Sequence, residues 1–177
     1  MVSQTGPAII AETERVILRE LTEADASFVN ELLNSPKFIQ YIGDRGVRSD
    51  EEARNFIVKR YRKSYDVNGY GLYAVLQKDG NIPVGMCGFV RHDTLPLPDL
   101  GFAFLPEHEG RGYGYESSIA ALKYGREELK FNEVLAITTL DNIASVGLLK
   151  KLGFEFDRYF ETEDETLNLF RLSLDQN

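Results

Sequence analysis

Cysteine is nearly missing from this sequence. Cys87 is the sole cysteine among 177 residues, so no disulfide can close within the chain and no thiolate zinc site can be built. In its setting, "VGMCGFV", a lone thiol reads as a small buried hydrophobe on a strand. Histidine is almost as scarce: His92 and His108 both fall in predicted loops with no partner pattern, and no metal is expected. Basic charge is in deficit, with 20 lysines and arginines against 28 aspartates and glutamates, a net charge of −8. Such a field repels duplex DNA and anionic membranes and favours basic or amine-bearing partners. Neither nucleic acid nor membrane is therefore expected as a partner. The densest basic run, "KRYRK" (Lys59 to Lys63), lies inside a helical period and reads as a solvated face. No apolar run approaches membrane-spanning length, and the first residues show no basic segment followed by an apolar core. A cytoplasmic location is the expectation. Glycine and proline are not abundant and nothing repeats, which leaves one globular domain of α/β class.

Within those bounds the pattern is strong. The first eleven residues read as a flexible lead-in, and the domain as residues 12–174. "RVILREL" (Arg15 to Leu21) predicts a strand, and "TEAD" (Thr22 to Asp25) a capped helix start with Phe28, Val29, Leu32 and Leu33 on one side. That helix is expected to stop near Ser35-Pro36. "SDEE" (Ser49 to Glu52) caps a longer helix ending before Asn68-Gly69. The period then changes to two. Tyr70–Gln77 and Ile82–Val90 form a predicted hairpin around "KDGN", and Leu97–Leu105 supplies a third strand. From Tyr115 a helix is expected, with Ile119, Leu122, Gly125 and Leu129 inward. "EVLAITT" (Glu133 to Thr139) is an apolar strand of the kind covered on both faces. Asn142 caps a last helix that Gly153 stops, and two strands close the chain. The order predicts a mixed, mostly antiparallel sheet flanked by helices, with a parallel strand pair around the central helix.

Between strand and helix stands "HEGRGYGYESS" (His108 to Ser118), with glycines at 110, 112 and 114. Glycines let main-chain N–H groups close on an anion, and a helix N-terminus adds its positive dipole end. The run lacks the Lys-Ser/Thr of a P-loop, and it has neither the spacing nor the place of a dinucleotide fingerprint. It is also too short, and too firmly wedged between patterned elements, for an RNA-binding segment. Taken alone, it is equally a tight connection with no ligand.

A second motif changes that balance. "DLGFAFLPEHEGRGYGYESSIAALKYG" followed by "NIASVGLLKKLGFEF" resembles the GNAT acetyltransferase superfamily, and most nearly the branch of the ribosomal-protein N-terminal acetyltransferases. That branch's loop typically reads Gly-Lys-Gly-Tyr-Ala/Gly-x-Glu, matched by Gly110, Arg111, Gly112, Tyr113, Gly114, Tyr115 and Glu116. Its Asn-x-x-Ser and Leu-Gly-Phe signature is matched by Asn142, Ser145, Leu152, Gly153 and Phe154. The resemblance spans about residues 12–174.

What it implies is acetyl-CoA as cosubstrate, its pyrophosphate on the main chain of Glu109, Gly110, Arg111, Gly112, Tyr113 and Gly114. Its pantetheine arm would lie along the strand of Phe102 and Phe104, with Asn142 and Ser145 beside it. Asp99 matches a position where relatives carry an acid, and it is the candidate base or amine-orienting group. Ser145 is the candidate donor to the leaving thiolate. Asn142 and Ser145 also read as ordinary helix capping, and Asp99 as a plain polar residue after Pro98. Glu109 departs from the family by placing a carboxylate at the loop. Leu149 stands where many members carry a tyrosine acid, leaving the general acid unassigned. The implied activity is direct acetyl transfer to a primary amine, on a peptide N-terminus or a small molecule, by a monomer or homodimer. A non-catalytic acyl-CoA-binding module on the same fold is the alternative. Acceptor selection is expected from Pro36–Arg48, the second helix and His92–Asp99.

Overall fold

The computed structural model describes residues 6–175. Eight strands form one sheet in the order β1-β2-β3-β4-β5-β6-β8-β7. They are β1 (Ile9–Glu12), β2 (Val16–Arg19), β3 (Leu72–Gln77), β4 (Ile82–Val90), β5 (Asp99–Phe104), β6 (Glu133–Thr139), β7 (Glu155–Glu161) and β8 (Thr166–Ser173). Every neighbouring pair is antiparallel except β5 with β6. The expected mixed, mostly antiparallel sheet with one parallel pair is thus the observed one. The lead-in expected to be flexible through residue 11 needs correction: Ile9 opens β1, which pairs with β2. Residues 1–5 of that expectation lie outside the described residues.

Alternation along the strands divides the core between two helical layers. On β3, Ala74 and Leu76 face α1 (Ala26–Leu33) and α3 (Asp50–Phe56), while Tyr73 and Val75 face α5 (Tyr113–Glu127). The first layer begins at a buried ion pair. Both oxygens of Asp25 accept from the Arg19 guanidinium at 2.9 Å, and the Thr22 N–H donates to the same carboxylate at 2.8 Å. This ties the predicted cap to β2.

Ser35-Pro36, read as a stop, is also a start. With Ser35 extended ahead of it and proline in the first turn, α2 (Pro36–Tyr41) forms where a loop was expected. At Ser49 the cap is as predicted, its Oγ accepting from the Glu52 N–H at 3.1 Å. From α3 the chain continues through a π-helical turn, Ile57–Arg62, into α4 (Lys63–Asn68), which Gly69 ends at φ 78°. The π turn buries Ile57 and Tyr61.

The second layer is α5 with α6 (Ile143–Lys151). Its contact face corrects the expectation at one position: Ile119 is exposed, while Leu122 and Gly125 are buried as expected, together with Ser117, Ser118, Ala120 and Ala121. Small residues let the helix lie close on the sheet. The buried hydroxyls are satisfied by the Gly114 carbonyl and Cys87 Sγ. Burial beside Ser118 pushes the Cys87 thiol up to about 11, so it is the inert core residue expected. Gly153, at φ 97°, ends α6 with the Phe154 N–H on the Leu149 carbonyl and its own N–H on that of Lys150. No helix among the described residues is long and apolar enough to cross a membrane.

Candidate active site

Parallel pairing of β5 with β6 consists of Asp99 against Leu135, with the Leu135 N–H on the Pro98 carbonyl at 3.0 Å. Beyond that point the strands splay. Leu105 donates its N–H to Val84, so alternation turns the main chain of Ala103 and Gly101 toward β4, that of Leu100 toward β6, and that of Phe102 and Phe104 into the gap. A cleft of about 1530 Å³ opens there and runs from the glycine loop to α2 and the π turn.

At the loop end, Gly110 and Gly112 hold φ of 73° and 83°, a left-handed backbone that side-chain-bearing residues resist. No acceptor among the described residues takes the N–H groups of Gly110 through Gly114. Five adjacent donors at the start of a fifteen-residue helix form an anion cradle. Glu116 locks it in place: its carboxylate accepts from Thr13 Oγ1, the Arg15 N–H and Arg15 Nε, while Arg15 Nη1 donates to the Arg111 carbonyl.

The side chains of Glu109, Tyr113 and Arg111 in this loop are each engaged differently. Glu109 is met by Lys37 of α2, Nζ to Oε2 2.5 Å, so its charge is balanced beside the cradle. An ion pair this exposed adds little to stability; its consequence is electrostatic. The Tyr113 hydroxyl is spent on Gln77 Oε1 at 2.8 Å, under a guanidinium 4.8 Å from its ring. The Arg111 side chain is exposed and does not line the cleft. For both, only the main chain serves the cradle.

At the other end, about five residue steps or roughly 17 Å along β5, sits Asp99. It is buried, and Oδ2 lies 3.2 Å from His92 Nε2; Oδ1 has no hydrogen-bond partner among the described residues. His92, expected to lack a partner, therefore has one. Burial raises the Asp99 carboxyl above its ordinary range, and the hydrogen bond to Asp99 raises the His92 imidazole. Each thus holds protons more tightly than usual.

The far wall is α6. Asn142 Oδ1 accepts from the Ser145 N–H at 3.3 Å, the expected cap, and both residues line the cleft. The Ser145 hydroxyl is uncommitted among the described residues. Leu149 is buried in the same wall.

Sequence reasoning missed Lys37 and the pairing of His92. It also missed Thr139, whose Oγ1 is buried without a partner among the described residues, as is His108 Nδ1. Both residues line the cleft. Buried orphan polar atoms are rare in folded proteins, and two on one cleft fit a polar ligand between them. Proline after Ser35 was the one signal that could have placed Lys37 on a helix.

The fold and this cleft combine a glycine-lined ring of main-chain donors with a strand edge left open beside it. The family model described as an acetyltransferase (GNAT) domain matches residues 15–155, and the chain belongs to that family; it is an acetyltransferase. The uncharacterized N-acetyltransferase YnaD of Bacillus subtilis is 26% identical over 149 residues, 84% of each chain. A GNAT-family acetyltransferase from Bacillus anthracis superposes with a TM-score of 0.77 at 25% identity, covering 94% of this chain and 98% of that one. RimL, a ribosomal L7/L12 α-N-protein acetyltransferase solved with coenzyme A, shares the fold at TM-score 0.78 and 16% identity over 95% and 99% of the two chains.

Proposed function

We propose that this protein transfers the acetyl group of acetyl-CoA directly to a primary amine, both bound at once in the cleft. One observation carries the reading: among the described residues, the unpaired main-chain edge of β5 beyond Asp99 leads straight into five unpaired N–H groups at a helix N-terminus. That arrangement suits a ligand with an amide-bearing arm and a diphosphate. Acetyl-CoA has both, and supplies an activated thioester carbonyl.

The residues then divide the work. Gly110 to Gly114 hold the diphosphate through N–H groups, with Lys37 cancelling Glu109. The main-chain groups of Phe102 and Phe104 hold the arm, and an N–H of this edge is the fixed donor for the carbonyl oxygen. Asp99 Oδ1 orients the ammonium of the acceptor, and the Asp99–His92 pair takes its proton. The Ser145 hydroxyl donates to the departing sulfur. Holding amine and thioester together supplies much of the remaining acceleration.

Balancing of Glu109 removes one ground for a purely binding module. The test is thiol release from acetyl-CoA in the presence of a panel of amines. Amine-dependent release with an acetylated product supports the reading; binding of acetyl-CoA with no transfer to any amine overturns it.

A further inference from the structure

The lining of the cleft reverses the charge of the molecule. Seven lysines and arginines line the cleft against five aspartates and glutamates, in a chain of net charge −8. Part of this comes from "KRYRK": Lys59, Arg60 and Lys63 border the cleft rather than forming only a solvated face. They do so across the π turn, a helix irregularity that recurs at functional sites.

Two arginines stand apart. Seven of the chain's twelve arginines are held in ion pairs among the described residues. Five are not, and of these Arg45, Arg60 and Arg91 line the cleft; Arg91 Nη1 reaches Asn68 Oδ1 at 3.5 Å, whereas Arg45 and Arg60 have no side-chain hydrogen-bond partner among the described residues. Arg60 only lies over the Phe56 ring, at 5.7 Å. Both are exposed on the cleft, and the charges of both bear on the Tyr61 hydroxyl and on the His92 ring. They therefore flank the Asp99–His92 pair, not the glycine loop at the opposite end of β5. The acids at this end are Asp93 and buried Asp99, and Asp99 is already engaged by His92.

An acceptor carrying only positive charge would meet these guanidinium groups unscreened by any partner. An acceptor bearing an anion near its amine would satisfy them, since guanidinium groups grip carboxylates in two-pronged hydrogen bonds. We propose that the acceptor is an amine with a carboxylate close to the reacting nitrogen, Arg45 and Arg60 receiving the carboxylate while Asp99 receives the ammonium. This rests on the cleft being the acetyl-transfer site. Two sources share the chemistry: a free α-amino acid, and a peptide whose first residues are acidic.

The experiment compares kcat/KM for an α-amino acid and its amide, for an acidic and a matched neutral N-terminal peptide with blocked C-termini, and for spermidine. Wild-type protein and Arg45→Met/Arg60→Met are compared, with acetyl-CoA binding titrated in parallel. The expected result is a preference of about tenfold or more for the carboxylate-bearing member of one pair. That preference collapses toward unity in the double variant through a raised KM, while acetyl-CoA binding is unchanged. A preference within the first pair assigns the free amino acid, and one within the second assigns the peptide. Arg60→Lys, which keeps the charge, should retain part of it. Equal or better use of the neutral members or of spermidine overturns the proposal, as does a preference that survives the double substitution. With acetyl-CoA bound, such an outcome leaves the transferase reading standing; loss of wild-type acetyl-CoA binding fells both.

Discussion

The two ends of the cleft are built from different materials. The loop end is main chain: successive N–H groups from one contiguous stretch, held open by glycines in left-handed backbone. The acceptor end is side chain: Arg45 beyond α2, Arg60 in the π turn, His92 beyond β4 and Asp99 opening β5. A site made of backbone must be written in adjacent residues, because the residues that permit it are the ones that form it. A site made of side chains draws on residues far apart in sequence, which nothing local connects. Under the proposed function, the first end would hold what every acetyl transfer from coenzyme A has in common, and the second what distinguishes one acceptor from another.

The hardest way to break this division is at Asp99. Asp99→Asn should lower kcat by roughly 100- to 10,000-fold, the usual range for removing a proton-transfer group. Acetyl-CoA binding by titration calorimetry should be unchanged, because the loop is at the far end of β5. A parallel loss of binding would show that the two ends are not separable.

A smaller effect sharpens the loop end. Lys37→Met leaves Glu109 uncompensated beside the diphosphate and should weaken acetyl-CoA binding by about three- to tenfold at low salt, less at high salt. Adding Glu109→Gln should restore it. Failure of that rescue would mean that Lys37 acts on the ligand itself and not through Glu109.

Ser145→Ala tests the α6 wall. If its hydroxyl serves the departing sulfur, kcat falls by about threefold to tenfold with little change in binding. The cap survives, since it uses the Ser145 N–H on Asn142.

The smallest change is a displacement along the pH axis. Asp99 must be deprotonated to take a proton, so kcat/KM should fall as pH drops through its raised pKa, above the ordinary carboxylate range. The hydrogen bond and charge of His92 pull that pKa down. His92→Asn removes them, and the acidic limb should move to higher pH with little change on the alkaline plateau. A limb that stays in place would detach His92 from the reaction.

The same contrast explains what could be read without coordinates. Element order, the parallel pair, the glycine cradle and the Asn142 cap were legible because each is fixed by local pattern. Ser35-Pro36 was ambiguous, since proline ends one helix as readily as it begins the next, and the helix it begins carries Lys37. On α5, Leu122 and Gly125 were placed inward correctly, but Ile119 was not, because serine and alanine rather than isoleucine allow close approach to the sheet. "KRYRK" looked like solvated surface, for nothing in its sequence marks the π turn that sets it along the cleft. Net charge favoured basic or amine-bearing partners, but a sum over the chain carries no information on which charges line the cleft, where lysine and arginine outnumber aspartate and glutamate.

The central claim is that the glycine loop and the β5 edge bind acetyl-CoA. Isothermal titration of acetyl-CoA into the wild-type protein and into Gly112→Asp tests it most directly. A side chain there is strained by the positive φ and meets Arg15 Nη2 at 3.2 Å, and its charge faces the cradle. The account predicts saturable one-to-one binding to the wild type, lost by 100-fold or more in a variant that still unfolds cooperatively. Equal affinity in both proteins, or no binding to the wild type, would contradict it.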